Sequence, residues 1–400
     1  MIDWNILVSQ IATVAFDIVY FGAIISTIVV IILDNRNPVK TMAWILILLF
    51  LPIVGLVFYF FFGRSQRRER IIGQKSYDRL LKKPMAEYMA QDCSDVPEEY
   101  ARLIQLFQHT NQAFPFEGNR IAVYTEGYTK LQSLLRELQK AKQHIHIEYY
   151  IFEDDAIGRL VRDVLIEKAS QGVEVRVIYD DVGCWHVPNR FFEEMRNAGI
   201  EVRSFLKVRF PLFTSRVNYR NHRKIVVIDG RIGFVGGMNL AERYMRGFSW
   251  GIWRDTHILI EGKAVHGLQT AFLLDWYFVD RTLITASRYF PKIESCGSSL
   301  VQVVTSEPIG PWKEIMQGLT MAINGAKKYF YMQTPYFLPT EQVLAAMQTA
   351  ALAGVDVRLM LPERADNRIT HLGSHSYLAD VMQAGVKVYF YKKGFLPVSY

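Results

Sequence analysis

At 400 residues the chain is long enough for more than one folded unit, each with its own core. Half of it is hydrophobic and its mean hydropathy is slightly positive, which excludes a wholly water-exposed architecture and assigns part of the chain to lipid. A formal net charge of +7 points to an anionic partner, lipid headgroups or nucleic acid, while three scattered cysteines without a C-x-x-C pair (Cys93, Cys184, Cys296) argue against a disulfide framework or a thiolate metal site and fit a reducing compartment.

In chain order, residues 1–63 read as a transmembrane hairpin. Ile11 to Leu33 and Thr41 to Phe62 are two apolar runs, each long enough to cross a ~30 Å hydrocarbon core, and the turn-rich DNRNPVK lies between them. No basic leader and no small-residue cleavage site precede the second run, so both are expected to be retained. Arg36 and Lys40 stand in the connecting loop, whereas Arg64, Arg67, Arg68, Arg70 and Lys75 follow the second span. Positive charge accumulates on the cytoplasmic side, which predicts a cytoplasmic C-terminal part of a multi-pass cell-membrane protein. Asp17 within the first span is either functional or hydrated at the interface, and Pro52 with Gly55 predicts a kink in the second.

Residues 64–119 form a charged, amphipathic connecting segment. From residue 120 the texture is α/β. Strands are predicted at 121–125, 144–152, 173–179, 201–205, 224–228, 232–235 and 257–261, alternating with helices at 131–142, 158–169, 190–198 and 265–278. This first unit runs over 120–280, residues 281–299 read as a polar linker, and over 300–400 the pattern starts again. AKQHIHIEYYIF (141–152) echoes AKKYFYMQTPYF (326–337), GVEVRVIYD echoes GVDVRLMLP, and AGIEVRSF echoes AGVKVYFY, in one order at nearly constant offset. Three such matches predict a duplicated α/β unit, the second copy incomplete.

The chemistry concentrates in Asn221–Asn239, NHRKIVVIDGRIGFVGGMN. It sets His222, Lys224 and Asp229 in the spacing H-x-K-x4-D, followed by Gly236, Gly237 and Asn239. Lys224–Ile228 and Ile232–Val235 flank an Asp-Gly hairpin signal, and alternate residues of one strand share a face. A neutral imidazole is a nucleophile toward phosphorus, and a neighbouring ammonium and amide hold non-bridging oxygens as charge builds. His222, Lys224 and Asn239 are therefore the phosphate-facing set, with Gly236 and Gly237 expected to let backbone approach the phosphate. Asp229 completes the motif, more as a local brace than as a substrate contact. Asp255, in WRDTH, is the candidate for orienting His222, and Arg220 for a headgroup contact. The aromatic strand ends Tyr149, Tyr150, Phe152, Tyr336 and Phe337 line an acyl groove or pack the core. No metal constellation appears, and covalent histidine chemistry requires no cofactor.

These residues resemble the HKD signature of the phospholipase D superfamily. YRNHRKIVVIDGRIGFVGGMN with WRDTH is similar to bacterial cardiolipin synthases in particular, the motif region spanning 217–244. The resemblance implies a membrane-bound phosphatidyltransferase: one phosphatidylglycerol is attacked by His222 to give a phosphatidyl-enzyme and glycerol, and a second accepts the group to form cardiolipin. It further implies anionic phospholipid and the bilayer as partners, with no nucleic acid expected. The family carries two such motifs, the second histidine serving as acid and base. Here that motif would begin near Gly394–Leu396, and Pro397 stands where its histidine is expected. Truncation or frameshift, a fragment of a longer protein, and pairing of two copies as a homodimer remain open. His371 and His375, four apart on an expected helix, read as surface residues. The alternatives are a catalytically dead membrane-bound binding or assembly subunit, and a phospholipase D-type phosphodiesterase or nuclease.

Overall fold

The computed structural model describes residues 4–34, 38–59, 63, 96–207, 220–247, 251–306 and 312–395. The chain divides into two compact units, one comprising 1–70 with 208–219 and the other 71–207 with 220–400.

In the first unit Trp4–Asp34 is one helix, and within it Gln10–Leu33 is long and apolar enough to cross a membrane, with a mean hydropathy of 2.5. Asp17 lies exposed on it. The expected second span over 41–62 is not a continuous helix. Pro38–Phe50 stops, Leu51 takes φ −135° and ψ 66°, and Pro52–Phe58 begins anew. Proline supplies no N–H and forces its predecessor out of the helical region, so the break falls where the sequence placed a kink. Gly55 fits the bend because a Cβ there would lie 3.2 Å from Ile47 and Leu48. Arg36, residues 60–62 and the basic residues from Arg64 to Lys75 lie outside the described residues.

The second unit carries twelve strands among its described residues: β1 Pro115–Glu126, β2 His144–Tyr149, β3 Glu174–Asp180, β4 Glu201–Phe205, β5 Lys224–Ile228, β6 Ile232–Gly236, β7 Ile252–Glu261, β8 Ser299–Gln302, β9 Tyr329–Gln333, β10 Asp356–Pro362, β11 Lys387–Tyr391 and β12 Gly394–Phe395. The large sheet runs β4-β3-β2-β5-β6-β7-β1-β8, with β12 added alongside β7. β2, β3 and β4 are parallel, and β5 lies antiparallel to β2 on its other edge.

Alternation along β2 explains the layering. Ile145, Ile147 and Tyr149 point into a core built with Leu131, Leu134 and Leu138 of the Gly127–Lys140 helix, Val161 and Leu165 of Ala156–Ser170, and Phe191 of Asn189–Asn197. His144, His146 and Glu148 point the opposite way, toward the buried Val265–Asp280 helix, where Gln269 bonds both histidines. Both faces of the sheet are covered, so the polar residues of β2 are internal.

Several expected boundaries move: the strand expected at 144–152 ends at Tyr149, the one expected at 257–261 starts at Ile252, and the helix expected at 131–142 starts at Gly127. The first strand starts at Pro115 rather than 121, and the preceding helix Glu98–Asn111 is docked rather than merely connecting: Phe107 occupies the space a side chain on Gly318 would need, and Gln302 bonds the Ile104 and Ala113 carbonyls. The predicted linker 281–299 is anchored by Tyr289, which is buried with its ring 4.9 Å from His144 and 5.3 Å from His146.

The second, three-stranded sheet runs β11-β10-β9, all parallel. Its strands follow in the order and direction of β2, β3 and β4, as the three echoes require. Among the described residues β9 pairs only with β10, whereas β2 has β5 on its equivalent edge.

Candidate active site

Lys224 is the first residue of β5 and pairs with Tyr149, so the motif enters the sheet where β2 ends. His222 stands two residues earlier in extended chain and is exposed. Lys224 is buried, and its Nζ lies 3.0 Å from His222 Nδ1 and donates to the His222 carbonyl at 2.7 Å. Imidazole and ammonium therefore share one side of the chain, as their alternate positions predict.

The residues between and before them face inward onto three carboxylates. Asn221 donates its amide to Glu148 and, at 3.2 Å, to Asp275, and its backbone N–H to Asp180. Arg223 bonds Asp275, and Arg220 lies 3.8 Å from Asp180. Glu148, Asp180 and Asp275 are all buried. Burial raises the Glu148 carboxyl well above its ordinary range, and the neighbouring Asp275 raises it further. Donors on Arg220, Asn221 and Arg223 thus fix the segment from its inner side and leave His222 outward. The Tyr150 ring packs on the imidazole with centroids 4.6 Å apart.

Around Lys224 the site is a buried charge cluster. Burial lowers the Lys224 ammonium to about 7, with Asp255 opposing the shift. Burial raises the Asp255 carboxyl to about 7 against the Thr256 N–H, 2.7 Å away, and the charge of Lys224. Lys130, fully buried in the Gly127–Lys140 helix, is likewise lowered to about 7 with Asp255 opposing, and donates to the Tyr149 hydroxyl at 3.0 Å. His257 is buried behind it and held neutral, neither ring nitrogen having a hydrogen-bond partner among the described residues. Partial burial, followed by the Lys224 charge, lowers the His222 imidazole to about 4. The ring is thus neutral at neutral pH, the state a nucleophile needs.

Several sequence expectations take a different form. Gly236 and Gly237 lie close against protein: a Cβ on Gly237 would lie 2.1 Å from Asp255 Oδ1, and one on Gly236 2.5 Å from the His257 backbone. The Gly237 N–H is already bonded to the Thr256 carbonyl. Asn239 is buried, accepting from the Ile151 N–H at 3.1 Å and donating to the Tyr244 hydroxyl, so its amide holds the site's wall. Asp229 sits at the far end of β5 and accepts from the backbone N–H groups of Lys142, Gln143 and His144 at 2.8–2.9 Å, a brace remote from His222. Asp255 stands by Lys224 rather than by the ring, whose Nδ1 faces Lys224 instead. Tyr149 and Phe152 are core, and Tyr150 alone of that trio reaches His222. His371 and His375 do lie on one helix, Arg368–Ser376, and Pro397 falls outside the described residues.

Lys130 and the Glu148–Asp180–Asp275 group went unassigned in the sequence, and Tyr150 was read there only as an acyl-groove or core residue. Lys130 has no local signal, being one lysine of an amphipathic helix. The carboxylates had one: HIHIEY and the aspartates ending VIYD and LLD interrupt otherwise apolar runs.

Comparison with known proteins gives the family. A family model described as "Cardiolipin synthase, PLD-like domain" matches residues 134–275 and 319–398, and one described as "Phospholipase_D-nuclease N-terminal" matches 22–64. A cardiolipin synthase of Geobacillus kaustophilus is 41% identical over 387 residues, covering 95% of this chain and 77% of that one. The chain belongs to the cardiolipin synthase family. The major cardiolipin synthase ClsA of Bacillus subtilis is 36% identical, with 97% of this chain and 83% of that one covered. Among solved structures, a phosphatidylserine synthase of Haemophilus influenzae superposes with a TM-score of 0.52 at 14% identity over 74% of this chain and 79% of that chain, a likeness of fold.

Proposed function

We propose that this member of the cardiolipin synthase family joins two phosphatidylglycerol molecules into cardiolipin and glycerol through a phosphatidyl-histidine at His222. The observation that carries the reading is an exposed, neutral imidazole with an ammonium 3.0 Å from its ring nitrogen. The ring attacks phosphorus, and the bond to the glycerol oxygen breaks as that oxygen takes a proton. Lys224 steadies the non-bridging oxygens. The hydroxyl of a second phosphatidylglycerol then loses its proton as it attacks, and the bond from nitrogen to phosphorus breaks. No cofactor enters this scheme.

The proton donor for the departing glycerol stands on the far side of phosphorus from His222. Specific activity that rises with protein concentration would identify a second copy as its source, in a homodimer. We further infer that Gln10–Leu33 and the broken helix over 38–58 form two membrane spans, with the catalytic unit on the cytoplasmic side, from the basic residues that follow them in the sequence. The duplicated strand order supports reading β9–β11 as a second, incomplete copy of the first α/β unit.

The test is incubation of the detergent-solubilised chain with phosphatidylglycerol labelled at phosphorus. The unmodified protein acquires acid-labile label and forms cardiolipin, and His222→Ala does neither, losing at least ~10³-fold in rate. Product formed by the alanine variant at the native rate removes His222 as nucleophile. Binding of the lipid without label or product would favour a binding subunit, and cleavage of DNA a nuclease.

A further inference from the structure

The Arg368–Ser376 helix presents an apolar face to solvent. Its N-terminus is capped by Asn367, whose side chain accepts from the Ile369 N–H at 2.9 Å. Its inner side is pinned by buried Ser374, whose Oγ accepts from the Phe337 N–H and donates to the Thr370 carbonyl, both at 2.8 Å. The outer side carries Ile369, 81% exposed, and Leu372, 64% exposed. Leu338 is half exposed beside them, since a Cβ on Gly373 would fall 2.9 Å from its Cδ2. Exposed charges around this face are Arg364, Arg368, Lys392 and Lys393 against Glu363 and Asp366, a cationic excess. Asp366 is engaged by the Tyr336 hydroxyl, and Glu363 lies 3.9 Å from Lys392.

The helix belongs to the end of the second sheet nearest the active site. His375 stacks on Phe390 of β11. That strand leads through Lys392 and Lys393 into β12, which pairs with Ile252 and Trp253, two residues short of Asp255. From β9, Gln333 accepts from Arg254 at 3.3 Å.

We propose that this helix is an interfacial element, with Ile369, Leu372 and Leu338 entering the acyl region of an anionic bilayer while Arg364 and Arg368 meet its headgroups. Aliphatic side chains set among cations suit a fluid anionic surface, which requires no shape match. A protein partner would require a larger and more shaped patch. The element holds the active-site end of the second sheet where phospholipid is drawn from the membrane. It deepens the proposed lipid function but does not depend on the histidine chemistry.

The experiment uses the full chain in nanodiscs, with Cys93 and Cys296 replaced by serine and an environment-sensitive fluorophore on Leu372→Cys or, as control, on Leu352→Cys, which is at least as exposed on another helix. In phosphatidylglycerol-containing discs the probe at 372 is blue-shifted and is quenched about twofold or more by spin-labelled acyl chains, and the probe at 352 is not. In purely neutral lipid the signal at 372 weakens. These readouts need no turnover, so they separate from failure of the catalytic reading. Equal, water-like signals at both positions overturn the proposal, as does burial at 372 that persists without lipid and marks contact with a second copy. Undiminished quenching in neutral lipid overturns the assigned role of the arginines.

Discussion

The Lys224 ammonium lies between the Nδ1 and the carbonyl oxygen of the same residue, His222, at 3.0 and 2.7 Å. While charged it donates to both, so the ring proton sits on Nε2. A phosphate oxygen competes for the same ammonium. Once Lys224 leaves Nδ1 for that oxygen, the ring can carry its proton there and present Nε2 to phosphorus. In the proposed mechanism, substrate arrival would both create the anion contact and prepare the nucleophile.

The rate should depend on pH through these two groups. With its imidazole lowered to about 4, His222 stays neutral as pH falls until that point, then gains a proton and loses nucleophilicity. With its ammonium lowered to about 7, Lys224 loses its proton as pH rises through that value, removing the cation. The expected profile of kcat/KM is a bell with limbs near 4 and 7. Lys224→Arg, permanently charged, should carry the alkaline limb upward at a reduced plateau. An alkaline limb unmoved by that variant assigns it to another group.

Asp255→Asn tests the shared counter-ion. The carboxylate props up the charge of both Lys224 and Lys130, so its loss should lower both lysines and displace the alkaline limb downward by about one pH unit. A role confined to aligning the His222 ring would lower kcat with the limb in place.

Gly237→Ala separates two roles for the glycine pair. Its Cβ would meet Asp255 Oδ1 at 2.1 Å, so the carboxylate must shift. We expect a loss of about 1–3 kcal/mol in stability, seen by thermal unfolding, and about 10²-fold in kcat, with the alkaline limb displaced. A rise in KM alone would mean that the glycine serves the phosphate directly.

Asp229→Ala should act on folding. It removes three backbone-to-carboxylate hydrogen bonds from a residue already at φ 52°, at a cost of about 2–4 kcal/mol in denaturant unfolding. Asp229→Asn, which tolerates that backbone and keeps one acceptor, should recover part of it. The rate per folded molecule should change little in either. A large loss of kcat in well-folded Asp229→Asn would return the residue to the chemistry.

The strand-turn-strand frame around the motif was legible because its signals are local: β-branched runs, an Asp-Gly turn and period-two alternation. The order of β9, β10 and β11 was legible because three strand patterns kept their spacing. What lay hidden was contact between distant segments. Nothing near Lys130 announces that its amine shares the field of Asp255, and nothing near Gly237 says which neighbour needs the missing Cβ. In the second apolar run hydropathy gave the extent and Pro52, which lacks an N–H, gave the place of the break, which falls between Phe50 and Pro52. Asn239 shows the same limit: nothing beside the motif says that its amide also ties Ile151 to Tyr244.

The brace at Asp229 bears on how the signature itself is understood. From Lys224 to Asp229 the chain advances about 17 Å, the length of β5. The aspartate clamps one end to the start of β2, and Lys224 meets Tyr149 at the other. The last letter of the pattern therefore acts as a gauge: it sets the stagger of two neighbouring strands. A slip of one residue would turn the lysine and the imidazole together to the opposite face, away from Asp255 and Tyr150.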